Sequence, residues 1–356
     1  MKIALVTDTH WGVRNDSLVF LEYFHKFYDD VFFPYLDNNN IDTVIHLGDV
    51  VDRRKYINYV VLKSLKNHFI NELRSREIDF HVIIGNHDVA YKNTNDLNSM
   101  SELFGGRNDD YVKWYEESTE LCFDGCGIFI QPWINNENYD NSVKAIKKTN
   151  SQVLFGHLEL TGHLLAPGMV SGQGMQPEMF KKFDIVASGH FHHKSTKGNI
   201  TYLGCPYELM WSDYNQSRGF HIFDTDTREL TFIRNPYKMF QKVWYNDGEK
   251  SYEDVVDINY DVYNRTNLKV IVQEKTNPHW FDVFMDRLYR ADPLHVQIVD
   301  DHKHLDQVAE EDIIDEAEDT QTLLRKYVSG IDTSVSKKQL GTLVQNLYKE
   351  ALQMEV

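Results

Sequence analysis

Residues 80–88 read Phe-His-Val-Ile-Ile-Gly-Asn-His-Asp, a mostly apolar run that stops on Gly85 and is followed at once by Asn86, His87 and Asp88. A short β-favouring run bounded by a glycine reads as a buried strand. The glycine lets the chain turn tightly and approach a neighbouring backbone closely. The triplet after it offers an amide, an imidazole and a carboxylate, side chains that ligate metals or move protons. Working outward, four more apolar runs are followed by side chains of the same kinds, three of them with a glycine at the strand end. KIALVT (2–7) is followed by Asp8 and His10. TVIHL (43–47) is followed by Gly48, Asp49 and then Asp52. QVLF (152–155) is followed by Gly156 and His157. DIVAS (184–188) is followed by Gly189, His190 and His192.

Between these strands run helical patterns, 17–36 and 57–73, each with a broad apolar face. Alternating strands and helices predict an α/β layer protein. In such a sheet, ligands bind beyond the carboxyl ends of the strands. Five strand ends bringing Asp, His and Asn to one edge predict one polynuclear metal site. Mixed carboxylate, amide and imidazole donors suit manganese, iron or zinc better than magnesium or calcium. Two such ions, ~3.5–4 Å apart and sharing a carboxylate, are a common device for attack on phosphate. A lone D-x-H carries little weight; the ordered set carries the reading. His46 and His81 fall inside strands and read as packing or supporting residues, and His193 reads as exposed.

At 356 residues the chain has room for roughly two to three domains of ~150 residues each. Its 42% hydrophobic and 26% charged residues exclude global disorder. Three cysteines, Cys122, Cys126 and Cys205, exclude a disulfide scaffold and fit a reducing cytoplasm. No apolar run approaches the ~20 residues that span a bilayer, and the first residues lack the pattern of a signal peptide. The expectation is a cytoplasmic protein without a membrane partner. A net charge of −17 argues against a protein that coats DNA. More than half of it, however, sits in residues 300–319, where ten acids face only Lys303. The total therefore says little about the surface around the site. Near Asn235-Pro236 the texture changes, and Leu268–Gln273, Pro278–Arg290 and Leu294–Val299 read as strand, helix and strand. Two amphipathic helical patterns follow, 308–328 and 335–353.

D-x-H, G-D-x-x-D, G-N-H-D, G-H and G-H-x-H, in this order, resemble the calcineurin-like metallophosphoesterase superfamily over about residues 1–235. Within it, the opening DTHWG, the compact spacing and the terminal helical patterns resemble the SbcD-type nuclease subunits, and most closely those of T-even-like bacteriophages. The resemblance implies an α/β fold: a two-sheet metallophosphoesterase sandwich flanked by helices, a small α/β capping domain and a C-terminal helical pair. It places the nuclease domain at 1–235, the capping and DNA-contact domain at 236–305 and the partner-binding helices at 306–356. By the same resemblance, Asp8, His10, Asp49 and His192 match the ligands of one metal, and Asp49, Asn86, His157 and His190 those of a second. Two Mn2+ are implied, with Mg2+, Fe2+ or Zn2+ as substitutes. His87 matches the histidine that contacts the scissile phosphate and helps the leaving oxygen depart, with Asp52 orienting it and keeping it protonated.

The implied activity is manganese-dependent cleavage of DNA, as a duplex exonuclease and a single-strand or hairpin endonuclease, in double-strand break processing and recombination. The implied partners are DNA, an SMC-like coiled-coil ATPase and a second copy of the chain, with Leu97, Met100 and Leu103 at that contact. The cytoplasm would be the host's if the chain is phage-encoded. Two other readings stay open. One is a phosphoesterase acting on nucleotides or phosphoproteins, although serine/threonine phosphatases continue Asp-Arg-Gly where this chain has Asp52-Arg53-Arg54. The other is an inactive scaffold, against which the full set of donors argues. Arg53, Arg54 and Lys55 follow the second motif and read either as contacts to DNA phosphates or as a solvated basic turn.

Overall fold

A computed structural model describes residues 1–105, 111–166 and 168–299, together with residues 336, 340, 341 and 343. The expected C-terminal helical pair thus lies almost wholly outside the described residues. Residues Met1–Ile298 form one compact unit. Its centre is a sandwich of two six-stranded sheets. In the first, Lys2–Val6, Thr43–His46, Asp79–Ile83 and Val112–Tyr115 run parallel, and Gly219–Asp224 and Leu230–Arg234 extend it antiparallel at the other edge. In the second, Cys126–Gln131, Val153–His157, Ile185–Gly189 and Ile200–Tyr202 run parallel, with antiparallel strands at both edges.

The parallel strands are apolar on both faces because both faces are covered. Ile3 and Leu5 point into the core between the sheets, beside Ile45, Ile83, Ile130 and Phe155. Ala4 and Val6 point the other way, into a core shared with the helices. That outer core is aromatic: Phe24, Phe27, Tyr28, Phe32 and Phe69 are all fully buried. Tyr207 stacks on Phe24 at 3.8 Å between centroids and donates its hydroxyl to the Thr9 carbonyl at 2.6 Å. The helical core thereby props the first of the motif turns.

Each expected long helix is interrupted by a turn with i→i+5 hydrogen bonding, Tyr28–Phe32 in one and Lys66–Ile70 in the other. In the first, Pro34 has no N–H to return to the preceding turn, and the N–H of Phe33 reaches back to Tyr28. The second helix begins at Tyr59, where the Asn58 side chain accepts the Val60 N–H at 2.8 Å.

After residue 235 a three-stranded sheet, Phe240–Asn246, Asn267–Glu274 and His295–Val299, carries the helix Pro278–Arg290 over its own apolar core. Its first strand is anchored by Glu208, 1% exposed, whose carboxylate accepts the N–H groups of Met239 at 2.7 Å and Phe240 at 2.9 Å. Burial pushes this carboxyl from its ordinary 4.5 up to about 7, against the pull of the two N–H groups. Between those two values the folded chain binds more protons here than the unfolded one, so this group makes stability fall as pH rises through that window. Glu208→Gln keeps an oxygen for both N–H groups and removes the titration. In urea unfolding at about pH 5 and about pH 8, the wild type should lose on the order of 2–3 kcal/mol more than the variant between the two conditions.

Candidate metal centre

Four of the residues singled out at the strand ends sit in left-handed backbone: Asp8 (φ 52), His10 (φ 43), Asp49 (φ 57) and His190 (φ 89). Non-glycine residues hold such angles only where the surroundings over-determine them. Here they do. The Asp8 N–H donates to Gly48 O at 2.9 Å, the His10 N–H to Asp49 O at 3.2 Å, and the His190 N–H to both oxygens of Asp8 at 3.1 Å. Gly48, at φ 101, leaves room for the His157 ring, which a Cβ would strike, and a Cβ on Gly85 would strike the Asp49 carboxylate. These two glycines therefore serve close approach as much as turning.

The turns bring the donors together. One donor atom from each of Asp8, His10 and His192 lies within 4.8 Å of the others, and the same holds for Asp49, His157 and His190, and for His10, Asp52 and His87. His10 Nε2 and His192 Nε2 face each other at 3.1 Å. Asn86 Oδ1 lies 2.9 Å from His157 Nε2 and 2.8 Å from His190 Nδ1. Asp49 Oδ2 stands between the clusters, 3.3 Å from His157 Nε2 and 3.9 Å from His10 Nε2. Imidazole, amide and carboxylate donors converging around a shared carboxylate fit divalent metal ions of the first transition row.

The electrostatics fit the same purpose. Asp49 is 1% exposed. Burial pushes its carboxyl up, but His157, His87 and His10 override this and hold it well below the usual range. Burial works against a charge on His157, yet Asp49 wins and pushes that imidazole up to about 9. A buried carboxylate here demands a facing positive charge, which a proton on His157 or a bound cation can meet. His190 is driven well below the imidazole range, by burial first and His157 second. Its nitrogen is thus a lone-pair donor at neutral pH.

Several expectations need correction. Asp52 does not orient His87 through its carboxylate. His87 Nδ1 lies 2.6 Å from the Asp52 main-chain carbonyl, while Asp52 Oδ1 turns to His10 Nδ1 at 3.3 Å. Burial also lowers the His87 pKa against the opposing pull of Asp49, the opposite direction to the expected one. Arg53 turns away from the site, ion-paired to Asp16 at 3.0 Å and lying over the Tyr56 ring, so its charge is already used. Arg54 is half-buried and interacts with Asp49 and His87, and no hydrogen bond or ion pair to a described residue holds it. Lys55 is exposed. His193 is buried, its Nε2 3.7 Å from Asp213, because the chain after His192 folds under the segment 208–218. Met100 is fully buried and Leu103 packs on the helical core, leaving Leu97 as the exposed member of that trio.

The structure gives supporting roles to Asp88, Arg218 and His46, of which only Arg218 went unmarked in the sequence reading. Asp88, fully buried, accepts the N–H groups of Asp49 at 2.8 Å, Val50 at 2.9 Å and Gly85 at 3.0 Å, pinning two motif turns together. It is the last letter of G-N-H-D, so a signal was present. Arg218 grips the His192 carbonyl and pairs with Asp213, which also accepts the Leu209 and Met210 N–H groups. No motif marks Arg218. His46 accepts the Gly48 N–H at 3.2 Å on Nδ1, so its Nε2 donates to Thr9 Oγ1 at 2.9 Å. It supports the first two turns from within its strand.

Comparison with known proteins agrees with this geometry. The chain is 31% identical over 361 aligned residues to "Exonuclease subunit 1" of Enterobacteria phage T4, across 99% of this chain and 100% of that one. It is 25% identical to the SbcD subunit of the SbcCD nuclease of Staphylococcus epidermidis, across 75% of this chain and 77% of the relative. The family model for calcineurin-like phosphoesterases matches residues 1–194, the span that carries all five strand-end motifs. The two-sheet sandwich, the donor clusters at its strand ends and these matches together place the chain in the calcineurin-like phosphoesterase family.

Proposed function

We propose that this chain is the nuclease subunit of a DNA-processing complex, hydrolysing phosphodiester bonds of DNA with two Mn2+ ions. The carrying observation is full-length similarity to a phage exonuclease subunit in a chain whose strand-end donors all converge. Asp8, His10, Asp49 and His192 would hold one ion, and Asp49, Asn86, His157 and His190 the other. Bound there, such ions supply a hydroxide at neutral pH and positive charge for the phosphate oxygens. The protein's own part is positioning and proton transfer. His87 donates from Nδ1 to the Asp52 carbonyl, which fixes its ring and leaves Nε2 for the substrate. An approaching phosphate anion favours protonation of that nitrogen, which then hands its proton to the departing oxygen. Arg54 places a guanidinium with no hydrogen-bond or ion-pair partner among the described residues near Asp49 and His87, suited to a phosphate oxygen.

The terminal segment 306–356 would grip the coiled coil of an SMC-like ATPase by apolar helix packing, and a second copy of the chain would complete the assembly. Both relatives are named as subunits of larger nucleases, which supports a multi-subunit enzyme.

A manganese-dependent assay on linear duplex DNA, run beside an aryl phosphodiester, tests the substrate class. Asp49→Ala should lose bound metal and cleavage together while circular dichroism stays native, because the site lies on loops outside the cores. His87→Ser should keep its metal and slow cleavage on the order of 10²–10⁴; metal loss in step with rate would make His87 a ligand. For DNA contact, Arg54→Ala should lower the slope of log K against log[salt] by about one phosphate contact. Arg53→Ala should leave that slope unchanged, since its guanidinium is held by Asp16. Deleting residues 308–356 should preserve manganese-dependent cleavage of simple DNA substrates and abolish co-purification with the ATPase. Undiminished co-purification would place the partner surface elsewhere.

A further inference from the structure

A sixth strand ends at the same edge as the motif strands. Cys126–Gln131 runs parallel to Val153–His157, and Pro132 and Trp133 follow it directly. The Trp133 ring lies 5.2 Å from His190 and 6.1 Å from His157 between centroids, tilted to one and edge-on to the other. It belongs to none of the four apolar cores and is partly exposed. Its indole N–H has no partner among the described residues.

The main chain at Trp133 is nevertheless clamped from three sides. Its N–H donates to Ile84 O at 2.8 Å, and its carbonyl accepts from Asn95 Nδ2 and Asn138 Nδ2, both at 2.9 Å. Asn95 is in turn held by Asn135 Nδ2 at 3.0 Å. His190 is held separately, its N–H donating to both oxygens of Asp8 at 3.1 Å. A rigidly mounted aromatic outside the cores, against two donors of the candidate metal centre, is placed to receive a flat group from solvent.

We propose that Trp133 is a stacking platform for a nucleobase of the substrate, beside the phosphate being cleaved. The inference rests on the nuclease reading and deepens it. Stacking tolerates any base, since every base has a π-face. A base inside a duplex has both faces covered, so the platform requires one that is terminal, unpaired or turned out of the helix. The site is thereby biased toward ends and single-stranded positions through a single side chain.

The test compares the p-nitrophenyl ester of thymidine 5′-monophosphate with the same ester of 2-deoxyribose 5-phosphate, which lacks the base. Both release nitrophenolate, so one assay reads both esters. With manganese, the wild type should favour the base-bearing ester about tenfold in kcat/KM, mostly through KM. Trp133→Ala should bring that ratio close to one, and Trp133→Phe should keep most of it. Trp133→Leu, which fills the space without a π-face, should behave as the alanine variant does and covers the case in which alanine unfolds. A wild type indifferent to the base, or a leucine variant that keeps the full preference, overturns the proposal. A preference for the base that depends on Trp133, in an enzyme that cleaves neither single-stranded nor duplex DNA, supports the platform and overturns the nuclease reading alone.

Discussion

A carboxylate with almost no exposure, Asp49, sets the terms for the rest of the site. Removing such a charge from water costs several kcal/mol unless partners surround it. Its partners are His157 and His10 on the side-chain oxygens and the N–H of His87, which donates to Oδ1 at 2.7 Å. Each comes from a different strand end. The cost of burying one aspartate is therefore met only when three separate turns reach their places, which makes the site a property of the whole sandwich. Asp88 extends the same logic by one layer, since its carboxylate satisfies amides of the Asp49 turn and of Gly85 at once.

The strain in the turns follows from this convergence. Asp8, His10, Asp49 and His190 adopt left-handed backbone because donors must leave the strand ends sideways, toward a common point. Regular strand continuation would carry them past one another. The two sheets hold the turns at fixed separation through the core between them, where Phe155 of one sheet meets Phe223 of the other at 5.0 Å, edge to face. Beneath the turns, Tyr207 binds the Thr9 carbonyl and His46 binds the Gly48 N–H and the Thr9 hydroxyl, satisfying buried polar groups. The edge that carries the candidate metal centre is thus held in place, as ligand geometry would require.

The segment 208–218 links this edge to the third sheet. At one end Arg218 holds the carbonyl of His192; at the other Glu208 holds the first amides of the strand Phe240–Asn246. Asp213 ties the two halves together through the Leu209 and Met210 amides and the Arg218 guanidinium. The third sheet is thereby connected to His192 through this segment and its hydrogen bonds. Lys242 and Lys269 lie over the Tyr214 and Trp211 rings, adding cation–π contacts to the same joint.

Residue order alone was enough to determine the alternating α/β architecture and the five strand-end motifs, and to nominate Asp8, His10, Asp49, Asn86, His157, His190 and His192 as candidate donors. Hydrophobic periodicity and glycine placement are local, and a strand end marked by Gly-Asn-His-Asp is legible without knowing its neighbours. What needed tertiary structure was the use of each charge. Arg53 and Arg54 are adjacent and chemically identical, yet one is spent on Asp16 and the other faces the site, because a turn sends successive side chains in different directions. Asp52 meets His10 rather than His87, since His87 Nδ1 already has a main-chain carbonyl as partner. His193 is buried by a segment some twenty residues further on, and Trp133 is brought to the edge of the candidate metal centre by a strand whose sequence carries no polar motif. Pairing across the sandwich depends on distances between elements far apart in the chain, and no spacing along the sequence encodes them.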